Sequence, residues 1–162
     1  MDIKDSGERR QFYDKDGNPT AVRDISEGKG RCDLMPLDVV GHYLGDRTIK
    51  LIGAFQECGD VDWLYAALAN VEWDDPFTII LDVAKHFEDG AKKYGENNWQ
   101  KGIPARCYID SAVRHYLKYQ RGDEDEPHDR AFVWNILCCI WTCIHRPELN
   151  DYRCGTDMER EE

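Results

Sequence analysis

The stretch Asp74–Gly95, DDPFTIILDVAKHFEDGAKKYG, carries the strongest architectural signal in the chain. Ile80, Val83, Ala84, Phe87, Ala91 and Tyr94 recur in it at the spacing of one helix face. Asp75 suits an N-cap, Pro76 suits the first helical position, and Gly95 stops the run. Two segments downstream repeat the pattern. Ile109, Ala112, Val113, Tyr116 and Leu117 line one side of CYIDSAVRHYLKYQ before Gly122. Val133, Ile136, Leu137, Ile140 and Ile144 make a stripe between Pro127 and Pro147. Upstream, the residues after Pro36, then TIKLIGAFQE and VDWLYAALAN, predict three shorter helices, the last two separated at Cys58–Asp60. No alternating run argues for a sheet, and no internal repeat is present. The pattern predicts an all-α helical bundle.

The flanks are polar. Residues 1–31, with turn-forming DKDGNPT and SEGKG, predict an irregular N-terminal arm lying over the domain. Residues 32–147 are then expected to form the all-α domain, and 148–162 a polar, frayed tail. A formal net charge of -11 argues against nonspecific nucleic-acid binding, which needs a basic footprint. No apolar run approaches the ~20 residues of a membrane span, and MDIKDSGERR lacks a signal-peptide core, so a cytoplasmic protein is expected. Seven cysteines with no CxxC pair read as free thiols in a reducing compartment.

The acids carry the chemical signal. At about 100° per residue, Glu126 and Asp129 fall in the arc of Val133, Ile136 and Ile140, whereas His128 and Asn135 project elsewhere. A carboxylate extending an apolar stripe is costly unless paired, protonated or bound to a cation. Helix-end capping is the competing explanation and stays open on this segment alone; Asp123 and Glu124 read as solvated loop charges. On the 74–95 helix, Glu88 shares a ridge with Leu81, Ala84 and Ala91 at the border of the buried face, with Asp89 and Lys85 further out. Asp110 borders Leu117, with Arg114 one turn along, a spacing that also suits an ordinary ion pair. Three helices thus each place an acid on or beside the inward face, and oxygen-rich clusters suit Mg²⁺ or Mn²⁺ better than zinc. GAKKYGENNWQKG adds Lys92, Lys93 and Lys101, the amides of Asn97 and Asn98, and Trp99 as a stacking surface or a plug. Lys92, nearer Glu88, is the better phosphate candidate, and Lys93 is expected to face solvent. No GxxxxGK[ST] loop occurs.

GKGRCDLMPLDV, FEDGAKKYGENNWQKG and YIDSAVRHYLKYQRGDEDEPHDRAFVWN resemble the phage-type dATP/dGTP diphosphohydrolase N-terminal domain family. That family is grouped with the MazG-like all-α nucleoside triphosphate pyrophosphatases, and the similarity runs from Gly28 to Trp141. The resemblance implies Mg²⁺-dependent hydrolysis of a (deoxy)purine nucleoside triphosphate to monophosphate and pyrophosphate, by a dimer or tetramer. MazG-like enzymes carry an ExxE pair on one helix and an ExxD pair on the next. EPHD supplies the second pair as Glu126 and Asp129; the first is broken, because Lys85 and Ala91 stand three residues either side of Glu88. Asp110 is the candidate to complete the set. The expected metal ligands are therefore Glu88, Asp110, Glu126 and Asp129, with Glu88, Glu126 and Asp129 catalytic. Lys92, Asn98, Trp99, Lys101 and Arg114 are the expected substrate contacts. A catalytic Asp129 predicts that Asp129→Asn abolishes turnover with the fold intact.

Three rival readings compete. An HD-type phosphohydrolase would use His128-Asp129 with His86 and His115, but the dipeptide points to well-separated helix faces, and His115, near Tyr108 and Tyr119, reads as a core histidine. Cys139 and Cys143, one turn apart, lack the two further ligands of a zinc site. An acidic phage-like protein could instead be a non-enzymatic module covering a host protein's DNA-binding surface. The inward acids favour the enzyme.

Overall fold

The computed structural model describes residues 8–25 and 28–152; Ser26 and Glu27 of the SEGKG turn, the tail from 153 and Cys154 lie outside them. The described chain is mostly helical: α1 Leu37–Leu44, α2 Arg47–Cys58, α3 Asp62–Asn70, α4 Pro76–Tyr94, α5 Ala105–Arg121 and α6 His128–His145. Their ends follow local chemistry. The Asp75 carboxylate accepts from the Phe77 and Thr78 amides at the start of α4. Gly122 closes α5 at φ 92, a left-handed conformation that suits glycine.

At the centre, α5 and α6 lie along one another. Ile109, Ala112 and Val113 share the core with Phe132 and Ile136, and α2 adds Ile49, Ile52 and Phe55. Most of the circumference of α6 is buried, including His128 and Asn135, the side that the sequence separates from the apolar stripe. The helix α4 joins through Val83 and His86. Its Leu81–Ala84–Glu88 ridge faces outward instead, and Phe77 and Leu81 are 81% and 68% exposed. The face holding Glu88 is therefore not the border of a buried surface.

Residues 8–25 of the arm are not irregular. Strands β1 Glu8–Tyr13 and β2 Pro19–Ile25 pair antiparallel, with Gln11 opposite Val22, around a turn in which Asp14 accepts from the Asp16 and Asn18 amides. Isolated two-stranded hairpins are marginal, and this one is docked. The Ala21 amide donates to the Gly102 carbonyl at 2.9 Å, and Ala21 is part of the buried core. Asn98 takes Val22 at both backbone groups: the Val22 amide donates to Oδ1, and Nδ2 donates to the Val22 carbonyl, each at 2.9 Å. Asn97, at φ 63, and a 3-10 turn over Asn98–Lys101 orient that side chain. Among the described residues, no helix is long and apolar enough to cross a membrane.

Candidate active site

Between the hairpin, α4, α5 and the start of α6 lies a cavity of about 1050 Å³. Its wall carries eight of the chain's 21 Lys and Arg residues and seven of its 32 acids. A surface that repels polyanions as a whole thus surrounds one concavity with a slight positive balance, suited to an anionic ligand.

Strand β2 places Arg23 on this wall. Its Nη2 donates to Ser111 Oγ at 3.0 Å and Asn135 Oδ1 at 2.8 Å, and its guanidinium lies 5.8 Å and 5.6 Å from the Tyr108 and Trp134 rings. Asn135 is itself fixed, donating to the Ala131 carbonyl. The buried side-chain atoms left without a hydrogen-bond partner include Arg23 Nη1, Arg114 Nε, His86 Nδ1 and Trp134 Nε1, all on residues of the cavity wall. Buried polar groups are normally satisfied, so these four give the wall unused capacity to hydrogen-bond a polar ligand or water.

At the other side, Arg114 donates to Asp110 Oδ1 and to the Gly30 carbonyl, both at 2.6 Å, while the Cys32 amide donates to the same Asp110 oxygen at 2.7 Å. This pair ties the segment before α1 to α5. Lys29 shares the region; burial pushes its pKa down, opposed by the charge of Glu126. Next to Glu126, His115 Nδ1 lies 2.8 Å from His128 Nδ1, and His128 Nε2 lies 2.8 Å from Asp125 Oδ1. His115 is thus half of a polar pair, not simply a core histidine.

Of the residues chosen from sequence, Glu88, Asp110, Glu126, Asn98, Trp99 and Arg114 line the cavity; Asp129, Lys92 and Lys101 do not. Helix α6 begins only at His128, which takes Glu126 off the helix stripe. Asp129 Oδ1 instead accepts from the Arg130 amide. Glu88, with its side chain 64% exposed, sits 3.4 Å from Lys92 as a surface pair. The inward lysine is Lys93, 3.7 Å from Asp24, not Lys92. Lys101 contributes its carbonyl to Arg146. Asn98 is committed to Val22, and Trp99 packs edge-on against Phe87 and Trp141. Among the described residues, the potential ligand atoms within 4.8 Å of one another are those of His115, Glu126 and His128, and of Asp123, Asp125 and His128. The four-carboxylate set Glu88, Asp110, Glu126 and Asp129 is not assembled, so these residues do not fit a Mg²⁺ site held by them alone. The cysteines of the described chain are free, and burial pushes the Cys138 and Cys139 thiols well up, against thiolate ligation.

His86, on the cavity wall, makes the folding stability depend on pH. Burial, then the charges of Arg130 and Arg23, pushes its pKa from the ordinary 6.5 to about 3. The folded state then holds the ring neutral, while the unfolded chain takes up a proton below pH 6.5. Stability from this group is complete above that pH and declines as pH falls toward 3, by up to about 1.4 kcal/mol per unit. Urea midpoints at pH 7 and pH 5 should therefore differ more for the wild type than for His86→Gln; equal differences would contradict the assignment.

A family model described as dATP/dGTP diphosphohydrolase, N-terminal, matches residues 63–152, from the second residue of α3 through the cavity-forming faces of α4, α5 and α6. No curated protein and no solved structure matches the chain. With more than half of the 162 residues matched, over the helices that carry the cavity, the chain belongs to the dATP/dGTP diphosphohydrolase N-terminal family.

Proposed function

We propose that the protein hydrolyses a purine deoxynucleoside triphosphate, of the dATP/dGTP class, to the monophosphate and pyrophosphate, in the cavity beneath the hairpin. The observation that carries this reading is the set of unpartnered buried donors on Arg23, Arg114 and Trp134 around one cavity. Divalent Mg²⁺, or Mn²⁺, enters as the counter-ion of the triphosphate. Residues 32–147 form the catalytic unit, and the hairpin completes the binding wall.

In the reaction, water attacks the α-phosphorus. A new P–O bond forms, the α–β anhydride bond breaks, and its electron pair leaves with pyrophosphate. Glu126, on the wall between Lys29 and the histidine pair, accepts the proton of the attacking water. Lys29 and Arg114 on this side and Arg23 on the other meet the charge on the phosphate oxygens. The setting is nucleotide metabolism of the phage type, in the host cytoplasm. Self-association into a dimer or tetramer would cover the exposed Phe77, Ile80 and Leu81 of α4.

The test is a panel of ribo- and deoxyribonucleoside triphosphates with Mg²⁺, with identification of the phosphate products. Release of pyrophosphate from dATP or dGTP is the expected result; release of orthophosphate alone overturns the bond assignment. Glu126→Gln should lower turnover by about 100-fold or more, as removal of a general base does. Asp129→Asn, off the wall, should stay within about threefold of wild type, well short of the loss a base or ligand shows. The reverse ranking would return Asp129 to the mechanism.

A further inference from the structure

We propose that His115, His128 and Glu126 form a binding site for one late first-row divalent cation of the Zn²⁺ type, opening onto the cavity. One potential ligand atom from each lies within 4.8 Å of the others. The three come from different places: His115 from the middle of α5, His128 from the first position of α6, and Glu126 from the connection between them. His115 and Glu126 line the cavity, and the His128 side chain behind them is fully buried.

The hydrogen bonds select the donor atoms. A carboxylate only accepts, so the 2.8 Å contact of Asp125 Oδ1 with His128 Nε2 puts the His128 proton on Nε2. His128 Nδ1 is then a lone pair aimed at His115 Nδ1, 2.8 Å away, which must carry the shared proton in the metal-free form. This is the arrangement of a ligating histidine oriented by a carboxylate on its second nitrogen. A cation binds when the His115 proton moves from Nδ1 to Nε2, which leaves both rings neutral and turns both Nδ1 lone pairs inward. With metal–nitrogen bonds of about 2.0–2.1 Å at a tetrahedral angle, the two nitrogens stand roughly 3.3 Å apart. The two nitrogens therefore need to separate by about half an ångström, and the rings to turn so that both lone pairs meet the ion off the line between them.

Two imidazoles and one carboxylate favour zinc and its neighbours over Mg²⁺, which takes oxygen ligands and keeps its waters. Three protein ligands leave a coordination position open, and the cavity is where it opens. One Glu126 oxygen on the ion leaves the other for the proton-accepting role proposed above. The site differs from the carboxylate set expected from sequence, sharing only Glu126 with it.

The experiment is a Co²⁺ titration of the full chain without nucleotide, followed by visible absorption and displacement with Zn²⁺. The expected result is one Co²⁺ per chain with the intense absorption of a low-coordinate nitrogen–oxygen site, reversed by Zn²⁺. Asp125→Asn, a change at a half-exposed side chain, should weaken binding by about 10- to 100-fold, as loss of a ligand-orienting partner does. His115→Phe, which keeps a ring in place, should weaken it at least as much, with circular dichroism and melting confirming that both variants fold. Absence of the absorption, sulfur-to-cobalt charge-transfer bands from the cysteines, or affinities unchanged in folded His115→Phe would each overturn the proposal. Nucleotide is absent throughout, so failure here leaves the hydrolase reading standing, and failure of that reading leaves this one.

Discussion

Arg23→Met should lower kcat/KM for the proposed triphosphate substrate by about 100-fold, the loss typical of removing one preorganised donor to developing charge. Arg23 is held on three sides: Ser111 and Asn135 fix one end of the guanidinium, and Tyr108 and Trp134 flank it. Its remaining terminal nitrogen, Nη1, is buried without a partner on the cavity wall. A cation already desolvated and already immobile spends no reorganisation when a phosphate oxygen arrives, and charge-assisted bonds are the strong ones in such surroundings. Methionine keeps much of the side-chain bulk, so packing against the aromatic rings survives. Arg23→Lys keeps the charge but cannot span Ser111 and Asn135 while presenting a further donor, and falls between the two. Steady-state kinetics well below the melting temperature of each variant make the comparison. Equal kcat/KM in folded wild type and Arg23→Met would remove this residue from the site.

The second large effect is on stability. Gly53→Ala should cost about 3 kcal/mol, at the upper end of overpacking substitutions. Helices α1 and α2 touch backbone to backbone at Gly53: a β-carbon there would lie 2.9 Å from the Asp38 Cα and nearer still to the Asp38 amide nitrogen. Those atoms belong to the first turn of α1 and cannot rotate away as a side chain would. Gly41, on the facing helix, meets the Lys50 backbone in the same manner. At roughly 2–4 °C per kcal/mol for a chain of this size, the melting temperature falls by about 6–12 °C. Gly90→Ala is the control: inside α4, its new methyl group would meet no neighbouring atom within 4 Å, so the change should be neutral or stabilising by up to about 1 kcal/mol. Similar melting temperatures for Gly53→Ala and wild type would refute the close approach.

The helices were legible because Val83, Ile109, Val113, Val133 and Ile136 keep helical spacing between clear stop signals. The orientation of α4 was not. Phe77, Ile80 and Leu81 are apolar yet exposed, and periodicity does not distinguish a face turned to the core from one left outside it. That ambiguity rotated the expected site toward Glu88 and Lys92 and away from Asp89 and Lys93. The helix start had a similar effect. Extending α6 back through Pro127 put Glu126 and Asp129 on one stripe, whereas the helix opens at His128 and buries that histidine. The hairpin left a faint signal, QFY and TAV on either side of the turn at Gly17, masked by the charges of ERR and RDI. In GAKKYGENNW, Asn98 holds the hairpin in place through Val22, a partner 76 residues away that local sequence does not reveal.

The way the hairpin is held has a consequence for biosynthesis. Its attachments reach 76 residues forward to Asn98 and 112 to Asn135, so the strands leave the ribosome long before their docking partners exist. Contacts of such long range close late, and the nascent hairpin must wait with open edges. Arg9, Arg10, Arg23 and Asp24 on those strands discourage pairing with a neighbouring chain in the interval. The wall of the cavity therefore cannot be complete until Asn135 has been made.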